Sequence, residues 1–305
     1  MLSVIAALML SLSSILPTSG VITSAYRSLN TQAVHSRTVT AERATITGPS
    51  YSAIPQADKE LAPIQANKAA MLYDIDSARV LYKKNAAERL PIASITKVMT
   101  ALVIMQNHKL DEIVTIPAIK PQLSGSQSMG IQPGEQFKLN EALTAMLTYS
   151  ANAMAEALAI WDSGSEQAFV RKMNAQAAFW GLANTRYVDA TGLGQSGSYS
   201  TAEDLTTLAT ISLQSGFFRQ ATSQPRYRVS NLAGKAYTVT NTNQLLGSNG
   251  VIGTKTGYTL EAGQCLLSLT RRDGHEIIGV ILGSNDRFGQ TKALLNTAYA
   301  TYRWE

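Results

Sequence analysis

Ser94 and Lys97, three residues apart in Pro91-Ile92-Ala93-Ser94-Ile95-Thr96-Lys97, could act as a nucleophile and its base. A serine hydroxyl is a weak nucleophile until its proton is removed, and a neutral amine beside it can do that. On a helix, residues at this spacing share one face, one turn apart. Ser-x-x-Lys is short enough to arise by chance, so other groups must supply the rest of the chemistry. Ser150-Ala151-Asn152 offers a hydroxyl and an amide two residues apart, though Ser and Asn are also the usual helix-capping residues. Lys255-Thr256-Gly257 follows Gly253 and reads as a strand edge where glycine lets a ligand backbone approach closely. Its alternative is an exposed edge strand blunted by lysine.

The elements that must carry these groups can be read from periodicity. Ile95, Val98, Met99 and Leu102 recur at i, i+3, i+4 and i+7, which predicts an amphipathic helix from Ser94 to near His108, with Pro91 safely upstream. Ala70 to Tyr73 and Arg79 to Tyr82 predict a hairpin, and 112–116 a short strand, with 124–134 as loop. Helices are expected over 141–147 and 153–161, leaving Ser150 and Asn152 at the junction between them. Ser163 to Glu166 and Ser200 to Glu203 read as capping boxes, the first helix running to Trp180. After Gly216 the pattern changes to period two, with strands at 227–230, 237–240, 264–270 and 275–282. The last two flank the turn Arg272-Asp273-Gly274. Thr291 to Tyr302 predicts a closing helix. Strands, a long helical insert, then strands and a helix imply an α+β fold: an antiparallel sheet from both chain ends flanked by helices, plus a mostly helical lobe.

Composition narrows the function classes. The 305 residues are 45% apolar, with a formal net charge of +5, no dense Lys/Arg cluster and no nucleic-acid motif. Cys265 is the single cysteine, so no internal disulfide forms. Residues 1–26 lack Asp, Glu, Lys and Arg, and Leu2 to Leu16 is an apolar run. That predicts a secretory signal or N-terminal anchor over 1–25 and export from the cytoplasm. Residues 26–67, rich in Ser, Thr, Ala, Gln and Pro, predict a flexible spacer before a domain over 68–305. Gly192, Gly194 and Gly197 match the dinucleotide fingerprint formally, but no strand–helix–strand unit surrounds them, so no cofactor is expected. No metal-ligand spacing occurs among His35, His108 and His275, and no metal is expected.

Taken together, the order and spacing of the three motifs are far more specific than any one. From Ser94 to Ser150 is 56 positions, and from Ser150 to Lys255 is 105. With the flanking stretches 84–97, 146–159, 192–205 and 241–259, the chain resembles the low-molecular-mass serine D-alanyl-D-alanine carboxypeptidases, among the penicillin-recognising serine acyltransferases. The resemblance implies a β-lactamase/transpeptidase-like fold and removal of the terminal D-alanine from peptidoglycan stem peptides, with β-lactams as inhibitors. It implies Ser94 as nucleophile, Lys97 as base and Ser150 as proton relay to the leaving amine. Asn152 would hold the substrate amide, and Lys255, Thr256 and Gly257 would line the carboxylate site, assisted by Arg287. The N–H groups of Ser94 and Tyr258 would form the oxyanion hole. To be neutral near pH 7, Lys97 must titrate about 3 units below free lysine. Burial and the charge of Lys255 are expected to drive that. Two departures are visible. Ala153 stands where an acidic residue is frequent, and Asp189-Ala190-Thr191 where asparagine-proline-histidine is frequent. The alternatives are a D,D-endopeptidase or transpeptidase, a class A-like β-lactamase, and a non-catalytic wall-binding module. The deacylating E-x-x-L-N pattern of class A enzymes is absent around Glu166 and Glu203. Any membrane attachment would be through the N-terminal segment.

Overall fold

The computed structural model describes residues 53–55, 61, 67–119, 127, 129–194 and 197–304. The segment expected to be a signal or anchor lies outside the described residues, as does most of the expected spacer. One compact unit spans Gly48–Glu305. Its first strand, Ala53–Pro55 (β1), precedes the Lys68 start expected from the sequence and pairs with the last, Tyr302–Trp304 (β11).

The main sheet draws strands from both sides of the helical insert. Ala69–Asp74 (β2) and Arg79–Lys84 (β3) come before it; Val251–Thr259 (β8), Gly263–Arg272 (β9) and His275–Ser284 (β10) come after. Their order is β3-β2-β10-β9-β8, and every pair is antiparallel. Side chains alternate across the sheet as the strand period demands. Ala69, Met71, Ile278 and Val280 face the helical lobe. Ala70, Leu72, Ile277 and Ile281 pack with Leu294, Leu295 and Ala298 of the closing helix. Two small pairs, Ile113–Thr115 (β4) with Gln136–Lys138 (β5) and Arg226–Ser230 (β6) with Ala236–Thr240 (β7), sit outside this sheet.

The lobe is organised around Thr96–Asn107 (α1), which follows a 3-10 turn over Ala93–Ile95. Leu139–Thr148 (α2), Asn152–Ser163 (α3), Glu166–Phe179 (α4) and Ala202–Ser212 (α5) all pack on it. Gly216–Ser223 (α6) lies against β8, and Arg287–Thr301 (α7) covers the other sheet face.

Several expectations are corrected. The first helix is not amphipathic: Thr96 through Ile104 are all buried, because four helices pack around it. A stripe of apolar residues at helical spacing marks a core face, but it does not reveal that the opposite face, with Lys97 and Thr100, is buried as well. Both capping boxes shift. Ser165 rather than Ser163 caps α4, accepting from the Ala168 N–H, and Thr201 rather than Ser200 caps α5, accepting from Asp204 N–H. After Gly216 comes a helix capped by Ser215, not an immediate change to strands. The closing helix starts at Arg287, with the Asp286 carboxylate accepting from Gly289 N–H.

Candidate active site

The 3-10 turn places Ser94 just ahead of α1 and turns its side chain toward the next turn of helix. Lys97 Nζ donates to Ser94 Oγ at 2.9 Å, to Asn152 Oδ1 at 2.7 Å and to the Thr191 carbonyl at 2.6 Å. Three acceptors on three separate segments hold the amine in one position. Lys97 is fully buried, and burial lowers its pKa to about 7, with the Asp189 charge working in the opposite direction. The neutral amine is therefore within reach near neutral pH, and a neutral amine 2.9 Å from a hydroxyl can accept its proton.

Ser150 and Asn152 come from the junction before α3. Capping is not their task there, since Ala151 occupies the N-cap position and no side chain caps the helix. Ser150 holds a left-handed backbone (φ +65°), as does Ala93 (φ +48°) beside Ser94. Such conformations cost non-glycine residues free energy and persist where the surroundings over-determine them. Both Ser150 and Asn152 are buried.

The third wall is β8, the edge strand of the main sheet. Lys255 is fully buried and donates to the Thr256 carbonyl at 2.9 Å. Burial, Lys97 and Arg287 drive its pKa well below the ordinary lysine value. Burial is the main cause of the lowering at both lysines, and the repulsion between them, being mutual, favours loss of a proton from the pair. Glycine at position 257 is a steric requirement. A Cβ there would lie 2.7 Å from the Ile92 carbonyl and 3.3 Å from Ser94 N, so β8 runs directly against the Ser94 turn. Arg287, at the head of α7, donates from Nη1 to the Gly257 carbonyl at 2.8 Å. Tyr258 is half exposed, at the open end of the strand.

The structure thus brings Ser94, Lys97 and Asn152 into direct contact and sets Lys255, Thr256, Gly257 and Arg287 along one edge. A buried serine–amine pair beside a strand edge carrying positive charge suits acyl transfer from a substrate with a carboxylate. The D-alanyl-D-alanine carboxypeptidase family profile matches residues 56–286. The chain belongs to that family.

Relatives in the family differ in their named activities. The chain is 35% identical to D-alanyl-D-alanine carboxypeptidase DacF of Bacillus subtilis over 77% of its own length, and spans 62% of that protein. It is 35% identical to a D-alanyl-D-alanine endopeptidase of Pseudomonas aeruginosa, covering 80% of this chain and 79% of the relative. The fold matches penicillin-binding protein D2 of Listeria monocytogenes in its cefotaxime-bound form, with a TM-score of 0.69, 28% identity, and coverage of 78% and 100% of the two chains. The α+β, transpeptidase-like fold is therefore the family's.

Thr242 was missed in the sequence, and the hold of the Asp189–Gly194 loop on Lys97 was not foreseen. Thr242 Oγ1 hydrogen-bonds Thr256 Oγ1 at 2.6 Å, while its N–H donates to the Thr148 carbonyl, joining β8 to the helical lobe. The Asp189–Gly194 loop supplies the carbonyl that holds Lys97. The signal for the loop was Gly192, whose Cβ would fall 1.9 Å from the Ala93 carbonyl. Of the glycines that mimic a dinucleotide fingerprint, Gly192 is there for close approach to the Ser94 turn, whereas a Cβ at Gly194 would meet the Asp189 carboxylate and one at Gly197 the Val188 side chain. Among the described residues no cluster of His, Cys, Asp and Glu could hold a metal ion.

Proposed function

We propose that this protein is a serine D-alanyl-D-alanine carboxypeptidase that trims stem peptides of peptidoglycan. The observation that carries the reading is the buried Lys97 amine, with its pKa near 7, held 2.9 Å from Ser94 Oγ. In this reading Ser94 Oγ attacks the carbonyl of the penultimate D-alanine as its proton passes to Lys97. The N–H groups of Ser94 and Tyr258 receive the oxyanion, a contact whose loss costs about 3 kcal/mol. Collapse breaks the peptide bond, and the departing amine of D-alanine takes a proton through Ser150. Asn152 orients the substrate amide. Lys255, Thr256 and Arg287, with Gly257 admitting the backbone, bind the terminal carboxylate. Water then attacks the acyl-enzyme and regenerates Ser94.

A β-lactam carries its carboxylate and strained amide to the same groups, but its leaving nitrogen stays tethered after ring opening. Without a deacylating glutamate pattern, the penicilloyl ester at Ser94 is expected to persist. The likeness to a cefotaxime-bound penicillin-binding protein supports this. The peptide substrate supports an exported enzyme, with 1–25 as signal or anchor, 26–67 as spacer and 68–305 as the peptidase domain. Among the described residues no helix is long and apolar enough to cross a membrane.

The endopeptidase relative favours a second reading, in which the same acyl-enzyme forms at a cross-link rather than at a free peptide end. Intact-protein mass spectrometry after penicillin should show one covalent adduct on the wild type and none on Ser94→Ala. An unmodified wild type, or an adduct that survives the substitution, overturns the assignment. Release of D-alanine from a soluble pentapeptide marks the carboxypeptidase. Cleavage of cross-linked dimers without D-alanine release marks the endopeptidase.

A further inference from the structure

The loop that grips Lys97 is itself tied together by one carboxylate. Asp189 Oδ1 accepts from Thr191 N–H at 2.6 Å, from Thr191 Oγ1 at 2.6 Å and from Gly192 N–H at 2.5 Å. Its Oδ2 accepts from Gly194 N–H at 3.0 Å. A carboxylate with four donors can hold together a loop that has no internal ladder of its own. The loop is also fastened to the helices around it. Thr100 Oγ1 of α1 donates to the Ala190 carbonyl at 2.7 Å, and Ala190 N–H donates to Glu166 Oε1 of α4 at 3.2 Å. Between these anchors the Thr191 carbonyl reaches Lys97 Nζ.

We propose that Asp189 is the positioning residue of the Ser94–Lys97 pair: its carboxylate folds the 189–194 loop so that the Thr191 carbonyl fixes the Lys97 amine against Ser94. The inference rests on the acyl-enzyme reading above and deepens it. A second consequence follows from charge. A carbonyl acceptor and a nearby anion both favour the ammonium form, whereas burial favours the neutral one. Asp189 therefore opposes burial and favours the ammonium form of Lys97. The other charged groups around the amine are Lys255 on β8, with Arg287 beyond it on α7, and Glu166 behind Ala190. Asp189 is the anion whose charge acts on Lys97. At the family position where asparagine-proline-histidine is frequent, this chain thus places a charge that tunes its own base.

The test compares wild type with Asp189→Asn and Asp189→Ala. The amide keeps one acceptor oxygen and most of the loop bonds but loses the charge; alanine loses both. Two readouts are followed against pH: acylation by a fluorescent penicillin, and the NMR resonance of Lys97 in protein labelled at lysine Cε, assigned with Lys97→Met. In Asp189→Asn the Lys97 midpoint and the acid limb of acylation should both move to lower pH, by about half a unit or more. Its plateau rate should stay within about threefold of wild type. In Asp189→Ala the plateau should fall about tenfold or more, because the loop no longer presents Thr191. An unmoved Lys97 midpoint in Asp189→Asn, or an undiminished plateau in a folded Asp189→Ala, overturns the proposal. If the alanine variant does not fold, the midpoint in Asp189→Asn decides alone. A wild type that is never acylated, with a Lys97 midpoint that still moves, defeats the acyl-enzyme reading and leaves the positioning role standing.

Discussion

The Glu276 cluster at the start of the central strand β10 and the Lys97 cleft beside the edge strand β8 both bury charged side chains, and they match charge in opposite ways. Glu276 Oε1 and Oε2 accept from Arg219 Nη1 and Nη2 at 2.9 and 3.0 Å, and Arg271 Nε adds a bond to Oε1 at 3.0 Å. Burial alone would raise the Glu276 pKa, but the two guanidiniums outweigh it and hold the carboxylate below its usual range. In the cleft, two fully buried lysines face neutral oxygens, and burial lowers both. One cluster is arranged so that its ions stay ionised. The other is arranged so that an amine can lose its proton. In the proposed function, matched charge serves stability and mismatched charge serves chemistry.

Lys97→Met separates the two most sharply. Acylation should fall about a thousandfold at pH 7, within the range spanned by general-base groups. Stability should respond as well. Lys97 titrates near pH 7 in the folded protein and near ~10.4 unfolded, so between those values the unfolded chain binds a proton that the folded chain does not. Burying this amine therefore costs stability in full below that window, and the cost is relieved as pH rises across it, by about 1.4 kcal/mol per unit. Denaturant titrations from pH 7 to 9 should show a smaller rise in Lys97→Met than in wild type. Equal rises would mean that Lys97 is charged in the folded state, and the contrast with Glu276 would collapse.

Glu276→Ala should give the mirror image. Removing the carboxylate strands two arginines, and because Arg271 is half exposed the loss is expected at about 2 kcal/mol. Acylation at pH 7 should stay within twofold of wild type. The contribution is opposite in sign: a carboxylate held below its unfolded pKa contributes above ~4.3, and that contribution fades as pH falls through the folded value. The difference between wild type and variant should accordingly shrink in acid. A large loss of acylation in Glu276→Ala would show that the two clusters are coupled through the sheet.

How much of this was legible beforehand depends on the range of the interactions. Ser94 and Lys97 lie within one turn, so helical spacing was enough to bring them together. The β9–β10 hairpin declared itself through Asp273-Gly274, a local turn signal. Asn152 joining Lys97, by contrast, needs α3 packed on α1, and only the family likeness bridged that distance. The loop at Asp189 was noticed for its glycines and as a departure, but not for its grip on Lys97, because hydrogen bonds to three nearby backbone N–H groups and one hydroxyl carry no periodic signature. The helix at Gly216 was missed since Phe217 and Phe218 read equally well as strand residues. Pairing of Ala53–Pro55 with Tyr302–Trp304 joins segments from opposite ends, which no window of sequence can contain.

Arg287 offers the finest test of the comparison, because it stands between the two kinds of charge. Its Nη1 is committed to the Gly257 carbonyl, yet its buried Nε has no hydrogen-bond partner. A guanidinium with an unused donor is poorly matched, as the lysines are, and suits an anion that arrives only with substrate. Arg287→Ala should then raise KM for a peptide ending in a free D-alanine carboxylate about fivefold, with a smaller change in kcat. For the same peptide ending in a carboxamide, the variant and wild type should nearly converge, since the partner charge is missing from both. Equal losses on the two peptides would assign Arg287 to bracing the Gly257 carbonyl and the strand edge, and would move it to the structural side alongside Arg219.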